Sequence, residues 1–305
     1  SDVYKRQDTT DVTINVADVN EAPVINISQF WNQIGNDIDG EATNDSSGNS
    51  VALSADGSVV AIGAPYNDGN GSNSGHVRIY QNDGGTWTQI GDDIDGEAAD
   101  DQSGRSVSLS ADGSVVAIGA PYNDYGSSFW ERSSGHVRIY QIDGDTWTQI
   151  GEDIDGESST DLSGGSVSLS PDGSVVAIGA SGNDDNGSGS GHVRIYQNNT
   201  GTWTKVGDDI DGEAAGDYSG QSVALSSDGS VVAIGAIAND DNGSDIGHVR
   251  IYQNNTGTWT KIGDDIDGEA AHDQSGYSVS LSSDGTVVAI GCLLYTSPSP
   301  RDLRA

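Results

Sequence analysis

Ser106-Val-Ser-Leu-Ser110-Ala-Asp-Gly-Ser-Val115-Val-Ala-Ile-Gly-Ala120 holds the reading that decides the fold. Its first five residues alternate, so Val107 and Leu109 share one face of a strand. Asp112-Gly113 follows, a pair that tolerates φ > 0 and so favours a tight hairpin. Val115–Ala120 is apolar without interruption, as expected of a strand buried on both faces. Beyond a polar loop comes His136-Val-Arg-Ile-Tyr140, with Val137 and Ile139 on one side and His136, Arg138 and Tyr140 on the other. A second turn signal, Asp143-Gly144, leads into Thr146-Trp-Thr-Gln-Ile150. The pattern predicts four antiparallel strands joined by hairpins.

This unit recurs. Trp31, Trp87, Trp147, Trp203 and Trp259 each open W-x-[QK]-[IV]-G-x-D-I-D-G-E, in steps of 56, 60, 56 and 56 residues. Each is followed 19 residues later by the serine of S-V-[AS]-L-S, namely Ser50, Ser106, Ser166, Ser222 and Ser278. Periods of this length belong to propellers, solenoids and arrays. The absence of helical periodicity argues against helical arrays, and the rungs of a β-helix are shorter. The fold expected is all-β, a β-propeller of four-stranded antiparallel blades, four full and a partial fifth, truncated in the fifth.

The run S-G-x-S-V-[AS]-L-S-x-D-G-S-V-V-A-I-G-A-P-Y-N-D…G-H-V-R-I-Y resembles the FG-GAP repeat of integrin α-chain propellers and related bacterial surface proteins. Ala64-Pro65 and Ala120-Pro121 stand where that family has Gly-Ala-Pro, and the resemblance covers residues 26–291. It implies a cell-surface adhesion or ligand-binding role. The family often carries a D-x-D-x-D-G calcium loop between its first two strands. Here that loop is reduced to Ser54-Ala-Asp-Gly-Ser58, too short for a cage of calcium ligands. Ser170-Pro-Asp-Gly-Ser174 also resembles a WD-repeat hairpin. Further back, Val12-Thr-Ile-Asn-Val-Ala-Asp-Val-Asn-Glu-Ala-Pro-Val24 is similar to the last strand and exit linker of a cadherin-like domain, placed at residues 8–25. That resemblance implies interdomain calcium at Asp18, Asn20 and Glu21, although Glu21 replaces an Asp and one residue is missing before the proline.

Both ends read differently. Ser1–Gln7 back-translates to one oligonucleotide and Cys292–Ser297 to the reverse complement of its core, and both resemble a transposase adapter from sequencing libraries. The expectation is that residues 1–7 and 292–305 are adapter-derived and that the chain is a piece of a longer protein. The 12 basic residues face 47 acidic ones, a net charge of −35. Such acidity repels nucleic acid and anionic membranes and favours cations. No stretch matches a membrane span. The single cysteine, Cys292, offers no disulfide or thiolate metal site.

The search for chemistry yields several candidates. The acidic loop Gly91-Asp-Asp-Ile-Asp-Gly-Glu97 reads either as a calcium-holding loop or as a solvated connection whose isoleucine tucks inward. Asn183-Asp-Asp-Asn-Gly187 and Asn239-Asp-Asp-Asn-Gly243 carry the same two readings. His76, His136, His192 and His248 occupy one repeat position, followed two residues on by Arg78, Arg138, Arg194 and Arg250. A catalytic centre needs different groups converging at one place, so this repeated pair reads as a packing device. Asp83-Gly-Gly-Thr-Trp87 is similar to a sialidase Asp-box but lacks its serine and one residue. The 60-residue step comes from four extra residues after Ala120, in a loop carrying Phe129 and Trp130, a candidate ligand contact.

The function expected is a non-enzymatic extracellular or cell-surface module, possessing a protein or glycan ligand and dependent on calcium. The alternative is an accessory propeller of a secreted hydrolase whose catalytic domain lies elsewhere.

Overall fold

The computed structural model describes residues 32–124, 133–241 and 243–294. The described chain is all-β, with no helix among the described residues. The first blade comprises β1 (Ser50–Leu53), β2 (Val59–Ala64), β3 (His76–Asp83), β4 (Thr86–Gln89) and β5 (Ile94–Asp95). The second comprises β6 (Ser106–Leu109), β7 (Val115–Ala120), β8 (His136–Asp143), β9 (Thr146–Gln149) and β10 (Ile154–Asp155). The third holds β11 (Ser166–Leu169), β12 (Val175–Ala180), β13 (His192–Asn199), β14 (Thr202–Lys205) and β15 (Ile210–Asp211). The fourth holds β16 (Ser219–Leu225), β17 (Val231–Ala236), β18 (His248–Asn255), β19 (Thr258–Lys261) and β20 (Ile266–Asp267). A two-stranded sheet, β21 (Ser275–Leu281) with β22 (Val288–Cys292), begins a fifth.

The first four strands of each complete blade pair in antiparallel hairpin steps, as the turn signals demand. The sequence did not suggest the fifth strand. Ile210 and Asp211 of β15 pair with Val193 and His192 at the start of β13, while β14 pairs with the other half of β13. The outer edge of each blade is therefore shared between the Trp hairpin strand and the returning acidic connection. Two residues are too few to show periodicity, which is why this element was not legible.

The core lies between blades. Val115, Ala117, Val137, Ile139 and Ile154 of the second blade pack against Leu169, Val176 and Ile178 of the third. The third and fourth blades repeat the arrangement through Val175, Ile195 and Ile210 against Val223, Val232 and Ile234. Because β12 meets a neighbour on each side, all six of its residues are buried.

Hydrogen bonds lock neighbours together. Ser166 Oγ donates to the carbonyl of Gly220 in the next blade at 2.8 Å, and Ser106, Ser50 and Ser222 do the same one repeat apart. A Cβ on Gly179 would collide with that Gly220 carbonyl, so the glycine of V-V-A-I-G is required by close approach of two backbones. At the outer edge, Trp147, Trp203 and Trp259 donate from Nε1 to the carbonyls of Ile90, Ile150 and Val206. The inner serine and the outer tryptophan thus pin each blade to its neighbour at both radii.

The two ends of each blade differ. The Asp-Gly hairpins and the turns before the Trp strands lie at one end. At the other end lie the β2–β3 loop, its counterparts, and the acidic connections. There Asn186 Nδ2 donates to the carbonyls of Gly212 and Glu213, drawing loop and connection together.

Candidate functional site

A buried histidine stands at this loop end of every complete blade, because the strand begins at the residue that pairs with the acidic connection. His76, His136, His192 and His248 are essentially excluded from solvent. Carboxylates from two connections and, in two blades, from a loop surround each ring. In the first blade, His76 Nδ1 lies 3.6 Å from Asp93 and 3.8 Å from Glu41. In the second, His136 Nδ1 lies 3.8 Å from Asp153 and 3.9 Å from Glu97. The third adds Asp185, 4.0 Å from His192 Nδ1, to Glu157 and Asp209. The fourth has Glu213, Asp241, His248 and Asp265. Within each group the ligand-type atoms all lie within 4.8 Å of one another.

The arginine two residues along each strand shares the junction. Arg194 Nη2 donates to the carbonyl of Asp155 at 2.6 Å, and its Nη1 lies 3.3 Å from Glu157. Its guanidinium sits 5.7 Å from the Tyr196 ring centroid, within cation–π range. Arg78, Arg138 and Arg250 bond the carbonyls of Asp39, Asp95 and Asp211 in the same way. The expected packing role of the arginine is therefore seen, and it holds the connection from the preceding blade.

Burial, joined by a neighbouring arginine, favours the neutral imidazole at His136, His192 and His248. Burial and, secondarily, Arg138 press the pKa of His136 down to about 4, against the pull of Asp153. Burial and Arg194 bring His192 to about 4, and burial and Arg250 lower His248. Burial raises Glu97, with Arg138 opposing, and burial followed by Asp153 raises Asp155. A neutral imidazole offers one lone pair and one N–H. Neither ring nitrogen of His192 or His248 has a hydrogen-bond partner. These groups contain the donor types that hold metals, namely imidazole and carboxylate.

The Asp-Gly hairpins do not fit calcium. Asp56 Oδ1 is already occupied by Ser54 Oγ, Ser58 N and Ser58 Oγ at 2.7–2.9 Å. The hairpin presents one carboxylate saturated by donors rather than a set of oxygens facing an ion. Asp45, Asp101, Asp161 and Asp217, also repeated, are buried acceptors for loop backbone and for an asparagine 22 residues later. In the loop Gly91–Glu97, Ile94 is buried as expected of a connection, while Asp93 flanks His76 and Glu97 flanks His136. Asp185 and Asp241, from the two candidate Asp-Asp loops, complete the larger groups. Sequence reasoning set the histidines aside because repetition argues against catalysis, yet a metal needs only donors in the right place. The available signal was the constant phase of Glu, His and Asp within the period. Asp18, Asn20, Glu21, Phe129 and Trp130 lie outside the described residues. Of the residues flanking positions 125–132, Ser133 N donates to Asp124 Oδ1 at 2.7 Å. No helix among the described residues is long and apolar enough to cross a membrane.

Comparison with known proteins places FG-GAP repeats at residues 38–80 and 210–252. No curated protein matches the chain in sequence. Among solved structures, the Pseudomonas aeruginosa periplasmic gluconolactonase is similar at TM-score 0.53 and 17% identity, covering 79% of this chain and 64% of that one. The chain thus spans under two thirds of that structure. A putative 6-phosphogluconolactonase from Bacteroides uniformis gives TM-score 0.46 at 13% identity, covering 80% of this chain and 78% of that one. Kuenenia stuttgartiensis hydrazine synthase gives 0.49 at 14%, covering 81% and 71%. The first likeness shows the propeller fold. It also corrects the expectation that the chain is not an enzyme. A structure of the same fold is a gluconolactonase, so blade symmetry gives no ground for excluding catalysis. The physical reason is that repeated strands set the frame, whereas a centre can be assembled from loops that differ between blades.

Proposed function

We propose that this FG-GAP-repeat propeller is an extracellular or cell-surface adhesion and ligand-binding module that engages a protein or glycan at the loop end of its blades. The observation that carries this reading is the asymmetry between the two ends. The hairpin end repeats nearly unchanged: Ala-Asp-Gly-Ser, Ala-Asp-Gly-Ser, Pro-Asp-Gly-Ser and Ser-Asp-Gly-Ser. The loops at the other end differ in length and sequence, from Pro65–Gly75 to the insertion after Ala120, and they carry the clustered carboxylates. Variable loops on a rigid repeated frame are where recognition is usually built. Phe129 and Trp130 belong to that end by their position in the chain and supply aromatic contact area of the kind that dominates binding energy. The resemblance to surface-protein repeats and to a cadherin-like linker supports the extracellular setting and calcium at Asp18, Asn20 and Glu21.

The test is binding of the purified chain to a glycan array and to intact cells by flow cytometry. The wild type is compared with Phe129→Ser/Trp130→Ser and with the hairpin-end control Thr200→Ala. The double variant is expected to lose roughly tenfold or more in affinity, as for aromatic anchors, while Thr200→Ala binds like wild type. Absence of binding to either target, or equal loss in the control, refutes the reading.

A further inference from the structure

We propose that the third and fourth blades each hold one divalent first-row transition ion, in sites formed by Glu157, Asp185, His192 and Asp209 and by Glu213, Asp241, His248 and Asp265. The sites stand independently of any adhesion role.

The argument starts from the two histidines. His192 and His248 are both 0% exposed. Neither ring nitrogen of either residue has a partner in the protein. A buried polar group without a partner is unfavourable, and native structures rarely leave one unexplained. The His192 Nδ1 atom faces the Asp185 carboxylate at 4.0 Å, beyond hydrogen-bond reach but close enough to share an ion with it. Four donors of each group lie within 4.8 Å of one another. An ion with bonds of about 2.0–2.2 Å draws such donors to about 3.4 Å apart. The carboxylates sit on a loop and on connections, with side chains from 19% exposed at Asp209 to 56% at Asp185, against 0% for the His192 ring. They are the side that closes.

The donor set selects the metal class. One imidazole with three carboxylates suits zinc or manganese, whereas calcium and magnesium prefer oxygen alone. Charge is also favourable. In each site three carboxylates meet one arginine and one lysine: Arg194 and Lys205 in the third blade, Arg250 and Lys261 in the fourth. An ion competes with Lys205 for Asp209 and with Lys261 for Asp265, each bonded at 2.7–2.8 Å. A carboxylate has a second oxygen for this purpose.

The first two blades serve as internal comparison. Their groups contain three donors each, Glu41, His76, Asp93 and Glu97, His136, Asp153. Gly69 occupies the position of Asp185 and Asp241, with its N–H bonded to the preceding asparagine side chain as theirs are. Two sites, rather than four, are therefore assigned as full.

The experiment is calorimetry and elemental analysis on chelator-treated full chain in high salt, which suppresses diffuse uptake by the acidic surface. Zinc, manganese and calcium chlorides are the probes. Two equivalents of zinc or manganese are expected, with calcium at least tenfold weaker. Asp185→Asn and Asp241→Asn change exposed loop residues, so the fold is retained, as checked by circular dichroism. Each is expected to remove one equivalent, and the double variant both. Zinc, which is diamagnetic, should shift the imidazole NMR signals of His192 and His248 more than those of His76 and His136. No uptake, salt-sensitive weak uptake alone, preference for calcium, or a stoichiometry unchanged in the double variant overturns the proposal.

Discussion

Trp203 Nε1 donates to the carbonyl of Ile150 at 2.9 Å, tying the outer strand of the third blade to the connection that leaves the second. The bond spans 53 residues of sequence, yet it recurs with the period of the repeat. The tryptophan of the motif is thus an inter-blade clamp as well as a strand residue. Trp203→Phe keeps most of the ring contact and deletes the donor. It should lower stability by about 1 kcal/mol, the usual net worth of such a bond. Urea unfolding reads this as a shift in midpoint with unchanged slope. A variant as stable as wild type would show that ring packing alone carries the position.

The inner radius offers a sharper prediction. Gly179 faces the Gly220 carbonyl across the blade boundary, with Ser166 Oγ donating to the same oxygen. Gly179→Ala forces two backbones apart and displaces the serine. Overpacking of this kind costs about 1–3 kcal/mol, and the upper end is expected because backbone cannot rotate away. Stability in repeat architectures is carried largely by neighbour interfaces. Amide exchange should therefore accelerate first in β12 and β16, on the two sides of the disturbed boundary. Uniform acceleration along the chain would contradict this placement.

Much of the frame was legible because it rests on short-range rules. Val115–Ala120 is apolar throughout and forms β7, buried at every residue; Asp112-Gly113 turns where two φ-tolerant residues stand. The histidine junction was not legible for the opposite reason. Glu157, Asp185, His192 and Asp209 are spread over two repeats and four segments, and non-local contacts such as the pairing of Ile210–Asp211 with His192–Val193 bring them together. The Arg–carbonyl bond was similarly hidden, since its acceptor is main chain and carries no residue signature.

That bond gives a test of residue chemistry at the junction. Arg194 is 4% exposed, bonds the Asp155 carbonyl and stacks on Tyr196. Lysine keeps the charge but lacks the planar fork that reaches a carbonyl and a ring together. Arg194→Lys should cost about 2 kcal/mol, in the range for bonds to charged groups. Thermal unfolding measures it; a loss in Arg194→Met no greater than in Arg194→Lys shows that geometry, not charge, is what the site requires. A fully stable Arg194→Lys removes that claim.

The hairpin aspartates set a dependence on pH. Side-chain and backbone bonds from Ser58, then the bond from Ser54, hold Asp56 down to about 2 from 3.8. The same set from Ser114 and Ser110 lowers Asp112. A carboxylate whose pKa is lower in the folded state stabilises the fold fully above the unfolded value. It loses that contribution as pH falls through the folded value. Asp101 and Asp161, raised mainly by burial, act with the opposite sign over the acid range, so the wild-type profile alone is a mixture. Asp56→Asn isolates one group, because asparagine keeps an acceptor oxygen and cannot titrate. The stability difference between wild type and Asp56→Asn should be flat above pH ~4 and shrink between there and pH ~2. Parallel urea titrations on the two proteins give the difference directly. A difference that stays constant down to pH ~2 would mean that the serine bonds do not distinguish the ionised carboxylate from the amide.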